Sequence, residues 1–378
     1  LLCLKAKGLE VEVVAPAFKG LRSHEIEGIK VHRYRYAPQN LEILTGEEGA
    51  PSKIARNPFL KLLAIPYIIS GMLKIFMLCF KNRYDVLHVH WPFPHGIQAF
   101  PAAKIFKIPV VLNYHGASLL LIKKNPWVRP VLKFLTLRAD RVFANSNFTA
   151  QRILEVCPTP VLISPYGCTF DPNPLGKAPV QKNSNSEFVL LFVGRHIERK
   201  GIVYLLEAMK LFNPQENIHL LIVGEGDLTL DLQSKVQQES IPNIQFLGRL
   251  NSEDLQATYA RANVFLLPAI IDSKGDTEGL GVVLIEAIEK GLVVIASEVG
   301  GITDVIKHEQ SGLLVPQKDP LAIADAVRRL RTDSTLYQSL ITKAKRHVQS
   351  QFSWDRIIQE QISAYRTLIS KKEQIKEL

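Results

Sequence analysis

"FVLLFVGRHIERKG", residues 188–201, is an apolar run that stops at a glycine, turns through Arg195, Arg199 and Lys200, and leads into a helical pattern. Six consecutive apolar residues bounded by a turn signal read as a strand buried on both faces. That is the kind of strand found in parallel sheets covered by helices. The same grammar recurs downstream in "HLLIVGEG" (219–226), "IQFLGRL" (244–250), "VFLLPA" (264–269), "VVIASEVGG" (293–301) and "GLLVP" (312–316). Helical stretches alternate with them, such as "SEDLQATYARA" (252–262), for which Ser252 is the expected N-cap, with Glu253 and Asp254 in the first turn.

Upstream of a polar connector at 171–187 the pattern has already run once. "EVEVVAP" (10–16), "VLHVHW" (86–91), "PVVLNYHG" (109–116), "RVFANS" (141–146) and "VLISPYG" (161–167) are short apolar runs separated mostly by helical stretches. A chain of 378 residues is also long for one core. The expectation is an α/β protein of two doubly wound, Rossmann-like domains. The first spans residues 1–172 and the second 173–351, with a last helix at 352–378 returning to the first domain. The opening "LLCLKAKGLEVEVVAP" reads as a helix end followed by a second strand, so a first strand and its turn, roughly 20–30 residues by the size of a βαβ unit, are expected to be missing. Ligands of such sheets bind beyond the carboxyl ends of the strands, and a cleft between the halves is the expected site.

Composition narrows the class. Residues 1–172 hold 22 Lys and Arg against 11 Asp and Glu, a net of +11, and the remainder is near neutral. With no nucleic-acid motif, a basic half is read as facing a membrane or acidic substrates, or as an unspecialised basic surface. The stretch 59–80, "FLKLLAIPYIISGMLKIFMLCF", has the length of a membrane span, but Lys61, Pro66 and Lys74 interrupt it. It is read as a long helix covering a sheet, with surface attachment through a basic, apolar face as the other option. Cys3, Cys79, Cys157 and Cys168 are scattered, which favours a reducing cytoplasm over a disulfide framework and offers no metal-ligand spacing. Asn147-Phe148-Thr149 reads as a helix start, and no GxGxxG follows a strand, which argues against a nicotinamide dehydrogenase.

The chemistry concentrates in the second half. Arg195, Arg199 and Lys200 offer planar forks and a point charge suited to a diphosphate. In "GDTEGLGVVLIEAIEKG" (275–291) the amides from Gly279, Leu280 and Gly281 to Val282 and Val283, at a helix start, form an anion cradle. Glu278 beside that cradle would repel phosphate, so hydroxyl groups are its natural partners. Glu286, among Val283, Leu284, Ile285, Ala287 and Ile288, is placed to accept from a ribose diol; left unsatisfied there, its carboxylate would be costly. A nucleotide sugar has a diol, a diphosphate and a hydroxylated sugar in line.

These segments together resemble the family-4 retaining glycosyltransferases, whose fold is the two-domain GT-B architecture. "EGLGVVLIE" (278–286) matches their E-x7-E motif, and the likeness extends through "VGEG" (223–226), "FLGRL" (246–250), "VGGITDVI" (299–306), "SGLLVP" (311–316) and "FSWDRI" (352–357). The resemblance implies that Arg195 and Lys200 hold the donor diphosphate with the amides of Gly279 to Val283. It assigns Glu278 to hydroxyls of the transferred sugar, Glu286 to the ribose, the backbone around Arg249 and Leu250 to the base, and His115 in "NYHG" to a place near the reacting sugar. It further implies a nucleotide diphosphate sugar as donor, no cofactor, and a hydroxyl acceptor that is a sugar or is lipid-linked, as in surface polysaccharide assembly. Location is expected to be cytoplasmic or peripheral at the inner face of the membrane, with no nucleic acid as partner.

No Asp-x-Asp triplet occurs, so leaving-group stabilisation without a metal ion is preferred. His88, His90 and His95 are read as strand-end residues before a metal cluster; acceptor binding by His90, Trp91 or His95 is an alternative. The chain departs from the family pattern at its start, at Thr303-Asp304 where Pro-Glu is common, and at "SPYGCTF" (164–170). A sugar-nucleotide epimerase of the same fold and a non-catalytic nucleotide-sugar-binding protein remain open at this level.

Overall fold

A computed structural model of the chain describes residues 1–46, 53–54, 57–167 and 187–377. The connector at 171–187, apart from its last residue, and the end of the 164–170 turn, including Cys168, lie outside the described residues. The chain divides into two compact units. Unit 1 comprises Leu1–Asn145, Thr149–Ser164 and Ile358–Leu378, and unit 2 comprises Ser146–Phe148 and Pro165–Ile357. The end of the C-terminal helix Trp354–Glu377 is thus grouped with the first unit.

In unit 2 all six expected strands form: β8 (Phe188–Val193), β9 (Ile218–Val223), β10 (Ile244–Gly248), β11 (Val264–Leu267), β12 (Val293–Ser297) and β13 (Leu313–Val315). They pair in parallel in the order β10-β9-β8-β11-β12-β13. Every residue of β11 and β12 is buried, which is why those stretches carry no polar alternation. The chain winds outward from β8 to β10, returns to the other side of β8 and winds out again, so the order reverses between β8 and β11. Ligands of open parallel sheets bind at such a reversal, beyond the carboxyl ends of the strands. The helix Ser252–Arg261 is capped by Asn251, whose Oδ1 accepts from the Asp254 amide at 2.9 Å. The cap therefore falls one residue before the expected Ser252, and Glu253 and Asp254 occupy the first turn as read.

Among the described residues, unit 1 holds two sheets. β4 (Leu87–His90), β5 (Val110–Tyr114), β6 (Arg141–Ala144) and β7 (Leu162–Ile163) pair in parallel in chain order. β1 (Glu12–Pro16) pairs in parallel with β3 (Ile29–Tyr34), and β3 forms an antiparallel hairpin with β2 (His24–Ile26) through Glu27 and Gly28, both at positive φ. This hairpin is not among the strands expected from sequence. Among the described residues, no strand pairs with the outer edge of β1 or of β4. Tyr84, just ahead of β4, donates to Glu12 at the start of β1 (2.5 Å).

The segment 59–80 is helical, Pro58–Leu63 as a 3-10 turn and Ala64–Lys81 as an α-helix. Its inner face packs Tyr67 edge-on against Tyr34 and Tyr36, which agrees with a helix laid over a sheet. It is also long and apolar enough to cross a membrane by length and composition. A helix does start at Asn147.

Candidate functional site

At the reversal point of unit 2, two loops leave the carboxyl ends of adjacent strands. One follows β8 and carries Arg195 to Gly201; the other follows β11 and runs through 268–281 to the helix Val282–Glu289. Several contacts stitch them together. The amide of Ile270 donates to the Arg199 carbonyl (2.9 Å). Ser273 gives both its amide and its hydroxyl to the Glu198 carboxylate, at 2.8 and 2.7 Å. Gly201 sits at φ +65°, and a Cβ there would fall 1.9 Å from the carbonyl oxygen of Pro268, so glycine is required for the loops to meet. A second close approach is made by Gly301, whose amide donates to the Glu278 carbonyl (2.9 Å) and whose hypothetical Cβ would lie 2.0 Å from the Gly279 oxygen. The glycines of "VGGITDVI" thereby press the 277–281 turn into place.

The joined loops bring together a buried ionic cluster. Arg199 Nη1 and Lys200 Nζ both donate to Oε2 of Glu278, at 2.9 and 2.5 Å, and Arg199 Nε lies 3.7 Å from Asp276. Lys200 is only 7% exposed. Burial pushes the Glu278 carboxyl up, but Lys200 and Arg199 outweigh it and hold the group below the usual carboxylate range. Burial pulls the Lys200 ammonium below its ordinary value; Glu278 opposes that without cancelling it. A buried lysine held below its ordinary pKa against a carboxylate is a pattern common in functional sites. The adjoining hydroxyl Thr277 Oγ1 is buried with no hydrogen-bond partner.

Sequence reasoning placed Lys200 on a diphosphate and Glu278 on sugar hydroxyls; the fold puts the two side chains in contact. Arg199, which the sequence singled out only as one of three cations in the turn, is the second partner. Arg195 is solvent-exposed on the same loop. The helix Val282–Glu289 starts at Gly281, at φ +85°, with no side chain capping it. Glu286 is half-buried on that helix. Arg249, following β10, is 74% exposed and 3.2 Å from Glu225, which follows β9, and Leu250 is half-buried. All of these stand at the carboxyl end of one parallel sheet.

In unit 1, β4 and β5 end in a histidine cluster. His90 Nδ1 is 2.9 Å from His115 Nε2, with the rings nearly coplanar, and His88 stacks on His90 at 4.6 Å. His88 Nδ1 meets the Tyr365 hydroxyl at 2.6 Å. His95 Nδ1 lies 2.9 Å from the His90 carbonyl, which can only accept, so that nitrogen carries the proton. Nε2 of His95 then accepts from the Tyr67 hydroxyl, 3.0 Å away. Desolvation by the surrounding protein pulls His90, exposed at one edge of the cluster, down to about 4 and the half-buried His115 to about 3, and draws the half-buried His88 and His95 down too. The cluster is uncharged at neutral pH. No group of three His, Cys, Asp or Glu side chains among the described residues is placed to hold a metal ion.

Both halves of the chain match known families. Residues 2–167 match the family model "Glycosyltransferase Family 4", and residues 177–347 match "Glycosyl transferases group 1". A phosphatidyl-myo-inositol mannosyltransferase of Mycobacterium leprae (strain TN) is 25% identical over 372 residues, covering 97% of this chain and 90% of that protein. Among solved structures, sucrose-phosphate synthase from Thermosynechococcus elongatus superposes with a TM-score of 0.77 at 23% identity, over 98% of this chain and 91% of that one. Anabaena HepE in complex with UDP-glucose does so at 0.66 and 18% identity, over 91% and 86%. With its two halves matched in order by the two models, the chain belongs to the family-4, group 1 glycosyltransferases and has their GT-B fold of two Rossmann-like α/β domains.

Proposed function

We propose that this glycosyltransferase moves a sugar from a nucleotide diphosphate sugar to a hydroxyl acceptor with retention of anomeric configuration. The observation that carries the reading is the cluster of Arg199, Lys200 and Glu278 at the strand-order reversal of unit 2, beside an uncapped helix start. Breaking the bond between the sugar and the diphosphate leaves negative charge on the departing phosphate and positive charge on the sugar. Arg195, Lys200 and the amides of Gly279 to Val283 are assigned to the phosphate oxygens. Fixed charges aimed at the leaving group favour the charge-separated state without a metal ion or other cofactor.

Glu278 fits this scheme although it stands beside a phosphate site. Both cations meet its Oε2, and Oε1 is assigned to hydroxyls of the transferred sugar. The ion pairing keeps the carboxylate ionised and acceptor-only, the form a sugar diol requires. Glu286 takes the ribose, and the backbone at Arg249 and Leu250 flanks the base. His115 in unit 1 is proposed as a neutral hydrogen-bonding group for the sugar. The acceptor hydroxyl attacks the face the leaving group vacates, its oxygen bonds to the anomeric carbon, and its proton passes to the departing phosphate.

Support for this donor class comes from HepE, described as binding UDP-glucose. Support for a sugar or lipid-linked acceptor comes from the mannosyltransferase relative, which is named for phosphatidyl-myo-inositol. We place the chain in the cytoplasm, peripheral at the inner membrane face. The test is a calorimetric screen of UDP-, GDP-, ADP- and dTDP-sugars, followed by NMR of the product's anomeric proton. Binding of one class, lost in Lys200→Met, and a product of unchanged anomeric configuration are expected. Failure of every nucleotide sugar to bind, or binding indifferent to Lys200, overturns the reading. Binding without transfer to any acceptor would favour a non-catalytic nucleotide-sugar binder, and free epimerised donor would favour an epimerase.

A further inference from the structure

The helical segment from Pro58 to Lys81 is inside out for a protein surface. Leu62, Ile65, Ile69, Leu73, Met77 and Phe80 are 75%, 68%, 46%, 53%, 50% and 75% exposed. Their spacing of three or four residues lines them along one stripe. Between Ala64 and Phe80, no exposed residue is polar. The opposite face is fixed: Tyr67 packs on Tyr34 and Tyr36, and Gly71 lies against the Gln98 side chain. Gln98 Nε2 in turn donates to the Tyr67 carbonyl (3.0 Å) and the Tyr34 hydroxyl (3.1 Å). The helix cannot roll to hide its stripe without breaking that network.

Charge identifies what covers the stripe. No acidic residue lies between Glu48 and Asp85, whereas Lys61, Lys81 and Arg83 are exposed at the ends and Lys74 is half-buried midway. A second copy of the chain meeting this face about a two-fold axis would set the same cations against one another. A spanning orientation would tear Tyr67 and Gln98 from their partners and carry Lys74 into hydrocarbon. An anionic bilayer surface accepts both features, with the apolar stripe entering the acyl boundary and the lysines meeting headgroups.

We infer that the exposed face of Pro58–Lys81 is a membrane-docking surface that lies in the plane of an anionic bilayer. This goes beyond the transfer chemistry, none of whose assigned residues is on this helix. The experiment is co-sedimentation of the whole chain with vesicles of phosphatidylcholine alone or with a quarter phosphatidylglycerol. The wild type is expected to bind the anionic vesicles at least tenfold more tightly, and added salt weakens that binding. Leu73→Glu, on an exposed side chain, should lose tenfold or more. Lys61→Glu with Lys81→Glu should erase the preference for phosphatidylglycerol. Fluorescence of Ile69→Trp should shift to the blue on vesicles and be quenched by lipids brominated near the headgroup.

Absence of vesicle binding, or equal binding by Leu73→Glu, overturns the proposal. So does a lipid-free dimer that Leu73→Glu dissolves, which would assign the face to a second copy, or a wild type that resists alkaline extraction, which would assign it to a span. Nucleotide-sugar binding measured on the same Leu73→Glu protein keeps the two proposals separate: it should match wild type whichever way the vesicle result falls.

Discussion

Glu278 in unit 2 is a largely buried carboxylate whose Oε2 meets two cations, whereas the imidazoles of His88, His90 and His115 in unit 1 lie against one another and are drawn toward the neutral form by desolvation. Desolvation acts on both clusters, and what differs is the company. A carboxylate given two cations stays ionised, while imidazoles given only other imidazoles become neutral. Charge held ready in a buried place suits a transition state that separates charge; neutral rings suit hydrogen bonding to a sugar without competing for the diphosphate. Under the proposed function, unit 2 would supply charge and the unit 1 histidines neutral hydrogen bonds, and substitutions in each unit test that proposal.

The largest effect is expected at Lys200. Lys200→Met should lower kcat by about 10²–10³, the usual range for removing one preorganised donor to a developing negative charge. Stability should change little, because Arg199 still faces Glu278 and the cost of burying an ammonium disappears. Steady-state kinetics with thermal denaturation checks both halves. A large fall in melting temperature with kcat intact would make Lys200 structural.

Next comes Gly301→Ala. A methyl group 2.0 Å from the Gly279 oxygen forces the 277–281 turn away from its place. Transfer should fall at least tenfold, with a loss of about 1–3 kcal/mol, as for overpacking elsewhere. Chemical denaturation with activity on the same preparation checks it; a neutral outcome would mean the turn tolerates movement and the cluster is less preorganised than its contacts suggest.

The acid limb of stability separates the two clusters directly. Glu278 has a folded pKa below its unfolded value, so its contribution is present above about pH 4.3 and is lost as pH falls through the lower folded value. Glu278→Gln should flatten that part of the stability curve. The histidines titrate in the opposite sense: their folded values, about 4 for His90 and about 3 for His115, lie below the unfolded value, so they destabilise the fold as pH drops below about 6.5. His115→Gln should therefore soften the decline between about pH 6.5 and 4, where Glu278→Gln changes little. Melting temperature against pH for the two variants tests the assignment; coincident profiles would refute it.

How much of this was legible in sequence follows from where each signal resides. The unit 2 strands were readable because burial on both faces leaves uninterrupted runs such as "FVLLFV". The β2–β3 hairpin was not, because "HEI" is short and exposed and "IKVHRY" mixes charge with apolar residues. Residue types marked the loops at 195–201 and 275–283 as candidates, but the contact of Arg199 and Lys200 with Glu278, 79 and 78 positions away, depends on β8 lying beside β11. Only the sheet order supplies that. For 59–80, composition gave the helix, yet periodicity could not say which apolar residues face inward: Tyr67 and Leu78 are buried, and Leu73 and Phe80 are not.

The smallest effect is expected at Arg249. Its 3.2 Å pair with Glu225 is largely solvated, with the side chains 74% and 50% exposed, and such pairs contribute about 0–1 kcal/mol. Arg249→Ala should leave the melting temperature within a degree or two. If only the backbone at Arg249 and Leu250 flanks the base, KM for the donor should rise no more than about threefold at unchanged kcat, the mark of uniform binding. A rise well beyond that, still at constant kcat, would show that the guanidinium itself grips the nucleotide. A fall in kcat would go further, extending the proposed leaving-group electrostatics of unit 2 past the β8 and β11 loops to Arg249.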